Sequence, residues 1–191
     1  MNFKDDPISM LRAVSAAVDL NGDLDKNTIK EITEKSWSIC GADAEEISAE
    51  LDRLLISENP EKGLQLLADT ELLRYVIPEL WLQIGYDQDS PYHSLTLWEH
   101  SKKVVRLSPC DPETRWASLL HDIGKPFAKK KNSKGYSSFF MHDKIGAKMA
   151  RGIACRLKWP SDKTEKVISL IGGHMNNDSP LRQADNCAKK D

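Results

Sequence analysis

The sequence predicts an all-α protein, a multi-helix bundle preceded by a smaller helical unit. Three observations carry that prediction. Apolar residues recur at helical spacing in almost every segment. Helix-start chemistry, a capping Asp or Asn followed by proline, appears at Asp6-Pro7 and again at Asn59-Pro60. Alternating β-formers are found nowhere along the chain.

Each element follows in order. Asp6 is expected to cap a first helix carrying Ile8, Leu11, Val14 and Val18, which Asn21-Gly22-Asp23 ends. A second helix spans about 27–39 and closes at Gly41. A third fits 44–56, with Ile47, Leu51, Leu54 and Leu55 on one face. A fourth starts at Asn59-Pro60 and carries Leu64, Leu66 and Leu67; residues 71–82 add a short apolar helix interrupted around Pro78. The polar, turn-rich stretch 85–91 marks the expected boundary between a unit of residues 1–86 and a second of residues 87–191. In the second unit, helices are expected near 92–107, 112–122, 140–157, 161–174 and 180–189, with an aperiodic polar loop at 126–138. Trp81, Trp98, Trp116 and Trp159 are expected in the core, because the tryptophans lack the basic-aromatic interleaving of single-strand binders.

Composition narrows the function classes. At 191 residues, 40% hydrophobic and 29% charged, the chain reads as an ordinary globular protein. It holds no apolar run near the roughly 20 residues of a membrane span, and Met1 to Asp6 lack the apolar core of a secretory signal. A cytoplasmic protein without a membrane partner is expected. Cys40, Cys110, Cys155 and Cys187 form no C-x-x-C pair, so reduced, partly buried thiols are expected rather than a thiolate zinc site or a disulfide framework. Charge is divided sharply: residues 1–90 carry 8 Lys/Arg against 19 Asp/Glu, a net −11, and residues 91–191 carry 19 against 10, a net +9. A polyanionic ligand would be drawn to the second half.

That half also contains all five histidines, His93, His100, His121, His142 and His174. Neutral imidazoles and carboxylates are matched donors for a divalent ion. The adjacent pair His121-Asp122 is central. Successive helical residues point about 100° apart, so both side chains reach one ion only where a helix ends, and Gly124 and Pro126 provide that ending. Ala117, Leu119 and Leu120 anchor the helix before it. His100 lies on the preceding predicted helix, His142 opens the following one, His174 ends the next and Asp185 lies on the last, so antiparallel helices could aim them at one interior point.

The ordered run His100, Ser118-Leu119-Leu120-His121-Asp122-Ile123-Gly124-Lys125-Pro126, His142, His174 and Ala184-Asp185 resembles the HD superfamily of metal-dependent phosphohydrolases. A narrower resemblance joins Tyr92-His93, Leu97, His100-Ser101 and Arg115-Trp116-Ala117 to the HD-bearing bacterial tRNA nucleotidyltransferases. Residues 6–80 resemble the helical neck of those enzymes, in Asp6-Pro7-Ile8-Ser9-Met10-Leu11-Arg12-Ala13 and in Glu45-Glu46-Ile47-Ser48-Ala49-Glu50-Leu51. Two positions depart: Ser9 and Glu46 stand where that family has nucleotide-reading arginines. Neither side chain replaces a planar guanidinium fork. The head domain with its paired carboxylates would precede residue 1, so nucleotide addition is not expected of these residues.

The resemblance implies that His100, His121, Asp122 and Asp185 hold one divalent ion, Mn, Fe, Co, Ni or Mg. His142 and His174 complete a second ion site or contact phosphate directly. Such an ion acidifies a coordinated water and polarises a phosphoryl oxygen. Asp122 would bridge the ions and orient the attacking water. Lys125 would neutralise phosphate charge, Arg115 and His93 are further candidate substrate contacts, and Lys129, Lys130, Lys131 and Lys134 are a candidate lid. The expected activity is hydrolysis of a small phosphoester such as a 2′,3′-cyclic nucleotide, a nucleoside 2′-phosphate or an RNA end. The alternative is an RNA-binding accessory module without nucleotide-adding activity.

Overall fold

The structure is a computed structural model that describes residues 3, 5–89, 95–131, 133 and 135–189. Its first half runs α1 (Ile8–Asp19), α2 (Lys26–Lys35), a 3₁₀ turn (Ser36–Gly41), α3 (Ala44–Ile56), α4 (Pro60–Asp69), α5 (Leu72–Val76) and α6 (Pro78–Trp81). The second half runs α7 (Leu97–Leu107), α8 (Pro112–Leu120), α9 (Lys125–Ala128), a hairpin of β1 (Lys130–Lys131) and β2 (Ser137–Ser138), α10 (His142–Arg156), α11 (Ser161–Gly173) and α12 (Pro180–Ala188). The all-α class is what the sequence predicts.

Local chemistry explains most helix starts. Asp25 accepts from the N–H groups of Asn27 and Thr28, Asp43 from Glu45 and Glu46, Asn59 from Lys62, Thr96 from Glu99 and Asp111 from Thr114. Each such cap satisfies donors that the first helical turn leaves open, for about 1 kcal/mol. Pro60, Pro78, Pro112 and Pro180 occupy first-turn positions, where the missing N–H costs nothing.

Several expectations need correction. Asp6 does not cap α1: the cap position is Pro7, without a side-chain bond, and the Asp6 carboxylate faces Arg12 at 3.8 Å. The second helix ends at Lys35 and tightens to 3₁₀, with Ser36 Oγ donating back to the Thr33 carbonyl. The helix expected from 92 starts at Leu97, where Thr96 caps it. Residues 126–138 are not wholly irregular. They contain the end of α9 and an antiparallel pair, Lys130 with Ser138 and Lys131 with Ser137. All four cysteines are exposed free thiols rather than partly buried ones. Among the described residues, no helix is long and apolar enough to cross a membrane.

Val104, Ala184 and Ala188 form a small apolar cluster between α7 and α12. Most of the other buried apolar side chains form one connected cluster from Phe3 to Leu181, which joins the two halves. Trp98 and Trp116 are fully buried in it and Trp159 nearly so, while Trp81 packs against its edge. Around this core α7 packs on α4, α8 and α12, and α11 packs on α8 and α10. The ligand-bearing ends of five helices are therefore held by packing on several sides. Truncating a core leucine such as Leu120, fully buried just before the doublet, costs about 2–5 kcal/mol.

Candidate metal centre

α8 ends at Leu120, so His121 and Asp122 lie in a pair of tight turns rather than on a helix. Ile123 N–H bonds to the Leu120 carbonyl at 3.1 Å and Lys125 N–H to the Asp122 carbonyl at 2.9 Å. The turn lets both side chains of the doublet face one interior point. Gly124 serves it differently from the expectation. Its φ is −79°, so it is no left-handed cap. A Cβ at Gly124 would lie 2.2 Å from the carbonyl oxygen of His142 and 2.8 Å from the Gly146 N. The glycine permits the backbone of α10 to approach the doublet.

His100, His121, Asp122, His142, His174 and Asp185 converge, each buried or nearly so. They form two triads, His100-His121-Asp185 and Asp122-His142-His174, with the ligand atoms of each triad within 4.8 Å of one another. His100 Nε2 is 3.1 Å from Asp185 Oδ1, and His121 Nε2 is 3.1 Å from Asp122 Oδ2. The other oxygen of Asp122 lies 3.2 Å from His142 Nε2, and the Nε2 atoms of His142 and His174 are 3.1 Å apart. Asp122 thus presents one oxygen to each triad.

Hydrogen bonding shows that a cation fits this cluster. Nδ1 of His121 lies 2.7 Å from the Ser118 carbonyl, Nδ1 of His142 2.7 Å from that of Phe139, and Nδ1 of His174 2.6 Å from that of Ile171. A carbonyl only accepts, so each Nδ1 carries a proton, and in its neutral form each ring turns a lone pair inward through Nε2. His121 Nε2, Asp122 Oδ2 and Asp185 Oδ1 are buried and make no hydrogen bond among the described residues, although Lys125 Nζ forms an ion pair with Asp122 Oδ2 at 2.7 Å. Buried acceptors facing one another are costly until a cation joins them. Mixed nitrogen and oxygen donors suit a first-row divalent ion or magnesium.

The ionisation pattern agrees. Burial would raise Asp122, but the charges of His121 and Lys125 outweigh it and hold the carboxyl well below its usual range. Asp185 is likewise lowered against burial, chiefly by the imidazole of His100 beside it. Burial lowers His100, despite Asp185 and Asp122 nearby. His174 is pushed down to about 4 by burial and then by the field of His121. His121 moves upward, since Asp122 and Asp185 together outweigh its burial. Both carboxylates are ionised at neutral pH, as ligands must be.

The cluster opens into a cavity of about 260 Å³ lined by Asp122, Lys125, His142, His174, Asp185 and four others. Lys125 is buried there and donates to Gln88 Oε1 at 2.7 Å. Two cations of the same cavity were not singled out from the sequence. Arg182 lies 3.6 Å and Lys189 2.6 Å from Asp185 Oδ2. Their spacing, three before and four after Asp185 on one helix face, was the available signal.

Arg115 does not reach this cavity, which corrects its reading as a substrate contact. Its guanidinium donates to the carbonyls of Leu55 at 2.5 Å and Ser57 at 3.0 Å, closing the end of α3. His93 lies outside the described residues. Two lysines of the candidate lid have partners in the connector before α7: Lys129 donates to the Asp87 carbonyl at 3.2 Å and Lys131 pairs with Asp89. Lys134 lies outside the described residues.

Comparison with known proteins bears on this geometry. A family model described as "HD domain" matches residues 92–189, which is more than half of the chain. The chain belongs to the HD-domain family. A second model, "Probable RNA and SrmB- binding site of polymerase A", matches residues 23–84. A CC-adding tRNA nucleotidyltransferase of Thermus thermophilus is 36% identical over 146 residues, 73% of this chain and 33% of the relative. An A-adding tRNA nucleotidyltransferase of Deinococcus radiodurans is 31% identical over 186 residues, 91% of this chain and 42% of the relative. A multifunctional CCA protein of Xanthomonas campestris is 28% identical over 184 residues, 91% of this chain and 44% of the relative. The chain spans less than half the length of these curated relatives, and the HD domain with its helical neck is the part they share with it.

Proposed function

We propose that this HD domain is a metal-dependent phosphohydrolase acting on nucleotides or related small phosphoesters. The observation that carries the reading is the meeting of two His/Asp triads, of which Asp122, His142, His174 and Asp185 line a cavity that also holds Lys125, Arg182 and Lys189. Residues 87–191 are taken as the hydrolytic unit and residues 1–86 as its neck.

In this reading His100, His121, Asp122 and Asp185 hold one divalent ion, and His142 and His174 with Asp122 hold a second. Bound metal would supply Lewis acidity toward a phosphoryl oxygen and lower the pKa of a coordinated water. The side chains do the rest. Asp122, ionised and buried, offers an oxygen to each triad and would accept a hydrogen bond that orients the attacking water. Lys125, held by Gln88 against Asp122, places a fixed positive charge where the phosphoryl oxygens gather charge in the transition state. Arg182 and Lys189 attract the anion to the cavity mouth. The carbonyls of Ser118, Phe139 and Ile171 fix three imidazole rings, so little reorganisation accompanies binding.

The test is a phosphoester panel, 2′,3′-cyclic nucleotides and nucleoside monophosphates included, with Mn²⁺, Ni²⁺, Co²⁺ or Mg²⁺. Asp122→Asn is expected to lower turnover about 1000-fold, the several kcal/mol that such groups contribute. Equal turnover in both proteins rejects the mechanism.

A second reading has its own support. The match of residues 23–84 to an RNA-binding model, with tRNA nucleotidyltransferases as relatives, favours an RNA-binding accessory role. The −11 charge of residues 1–90 weighs against it. Filter binding of tRNA at low salt separates the two. Tight binding that survives chelation, without hydrolysis, favours the second.

A further inference from the structure

We propose that the turn entering α10 and the loop leaving α11 form a shelf on which the base of a nucleoside phosphate stacks, its phosphate turned into the adjacent His/Asp cavity. This deepens the phosphohydrolase reading and rests on it.

Beside the cavity of the candidate metal centre lies a second depression of about 320 Å³, and the two share Phe139, His142 and Met175 as walls. Its surface is open and mostly apolar, with Asp143 and Lys144 on one wall. Phe140 is 82% exposed, and Met141 and Met175 are 43% and 47% exposed. Single exposed apolar residues need no explanation, but a contiguous group at the rim of a charged pocket marks a binding surface.

The shelf is built rather than loose. The Phe139 carbonyl accepts from both the N–H of His142 at 3.1 Å and its ring Nδ1 at 2.7 Å. Met141 sits at φ +64°, a left-handed conformation that a non-glycine residue adopts at a cost, and its carbonyl starts α10 by accepting from Ile145. The hydrogen bond that orients the His142 ring therefore also sets the path of residues 139–141. Phe139 is tied to the phosphate side as well, with Lys125 Nζ 5.4 Å from its ring centroid.

Ligand chemistry follows from the two compartments together. Lys125, Arg182 and Lys189 call for an anionic group, and an aromatic ring with two thioethers alongside calls for a flat, polarisable body. A nucleoside phosphate has both. A sugar phosphate or inorganic phosphate leaves the shelf uncovered.

The test is calorimetric binding to the full chain in Mn²⁺. Ligands are inorganic phosphate, ribose 5-phosphate, AMP and a short RNA with a 3′-phosphate; proteins are wild type, Phe140→Ala, Met175→Ala and Phe140→Trp. Wild type is expected to bind AMP at least about tenfold tighter than ribose 5-phosphate, within what one stacked base supplies. Phe140→Ala should bring that ratio to within about twofold, leaving ribose 5-phosphate unchanged, and Phe140→Trp should keep it. Met175→Ala should reduce it in part. RNA binding tighter than AMP, with the same dependence on Phe140, assigns the base to an RNA end; no gain from RNA assigns it to a mononucleotide. Either supports the shelf. AMP no tighter than ribose 5-phosphate, or Phe140→Ala weakening both alike, overturns the shelf and leaves the phosphohydrolase reading in place. Failure of phosphate, ribose 5-phosphate and AMP alike to bind overturns both.

Discussion

His121 and Gly124 show how single residues govern the site, and each supports a measurement. His121 is raised above its ordinary value of 6.5 because Asp122 and Asp185 outweigh its burial. In the metal-free chain its contribution to stability is complete below about 6.5 and is lost as pH rises through the raised value. Metal binding needs the neutral ring, so affinity should climb through that same interval, with up to one proton released per ion. Calorimetry in two buffers of different ionisation enthalpy measures that proton; no difference between buffers would exclude this coupling. Gly124→Ala forces a Cβ against the His142 carbonyl, and backbone on both sides cannot yield cheaply. A loss of about 3 kcal/mol in urea unfolding is expected, together with weaker metal binding. The donor types and their order were readable from the sequence, because imidazoles and carboxylates announce their chemistry. The reason for Gly124 was not, since a close approach between chain segments far apart in sequence leaves no local trace.

At the scale of elements, the legible features are those with local causes. α3 spans the predicted residues and α4 begins at the predicted cap, because their capping side chains lie within three residues of the groups they satisfy. The hairpin was illegible. Two-residue strands have no alternation to read, and Ser137 N–H bonding to the Asp89 carbonyl is a tertiary fact. Arg115 was misread for a similar reason: its position on α8 says nothing of the carbonyls that α3 presents to it. Arg115→Met should therefore uncap α3 and destabilise the chain by about 2–3 kcal/mol, since charge-assisted bonds to Leu55 and Ser57 are lost. Metal stoichiometry and turnover should remain unchanged. A lowered urea midpoint with intact metal binding checks this, and loss of metal binding in a folded variant would return Arg115 to the site.

Across the whole molecule, the division of charge has a structural use that composition alone did not reveal. Cations of the second half pair with carboxylates of the first: Arg106 with Glu61 at 2.7 Å, Arg156 with Glu79 at 2.7 Å, Lys158 with Asp43 at 3.4 Å and Lys163 with Asp52 at 2.6 Å. Part of the basic surplus is thus spent on holding the halves together, leaving less to attract a polyanion. Exposed pairs contribute at most about 1 kcal/mol each, and the continuous core does more. Unfolding should therefore be a single transition, with tryptophan fluorescence and far-ultraviolet circular dichroism coincident. Divalent metal at 100 times its Kd should shift that whole transition by about 2.7 kcal/mol. Displacement of only part of the signal would mean that the halves unfold separately.

The inward lone pairs of His121, His142 and His174 also bear on how the protein is handled. Nitrogen-rich pockets rank nickel and cobalt above manganese and magnesium, so this chain should strip such ions from an immobilised-metal resin. Preparations eluted from one would report the chemistry of the column. Metal affinities and any rates in the phosphoester panel become comparable between laboratories only after exhaustive chelation and reloading with a declared ion.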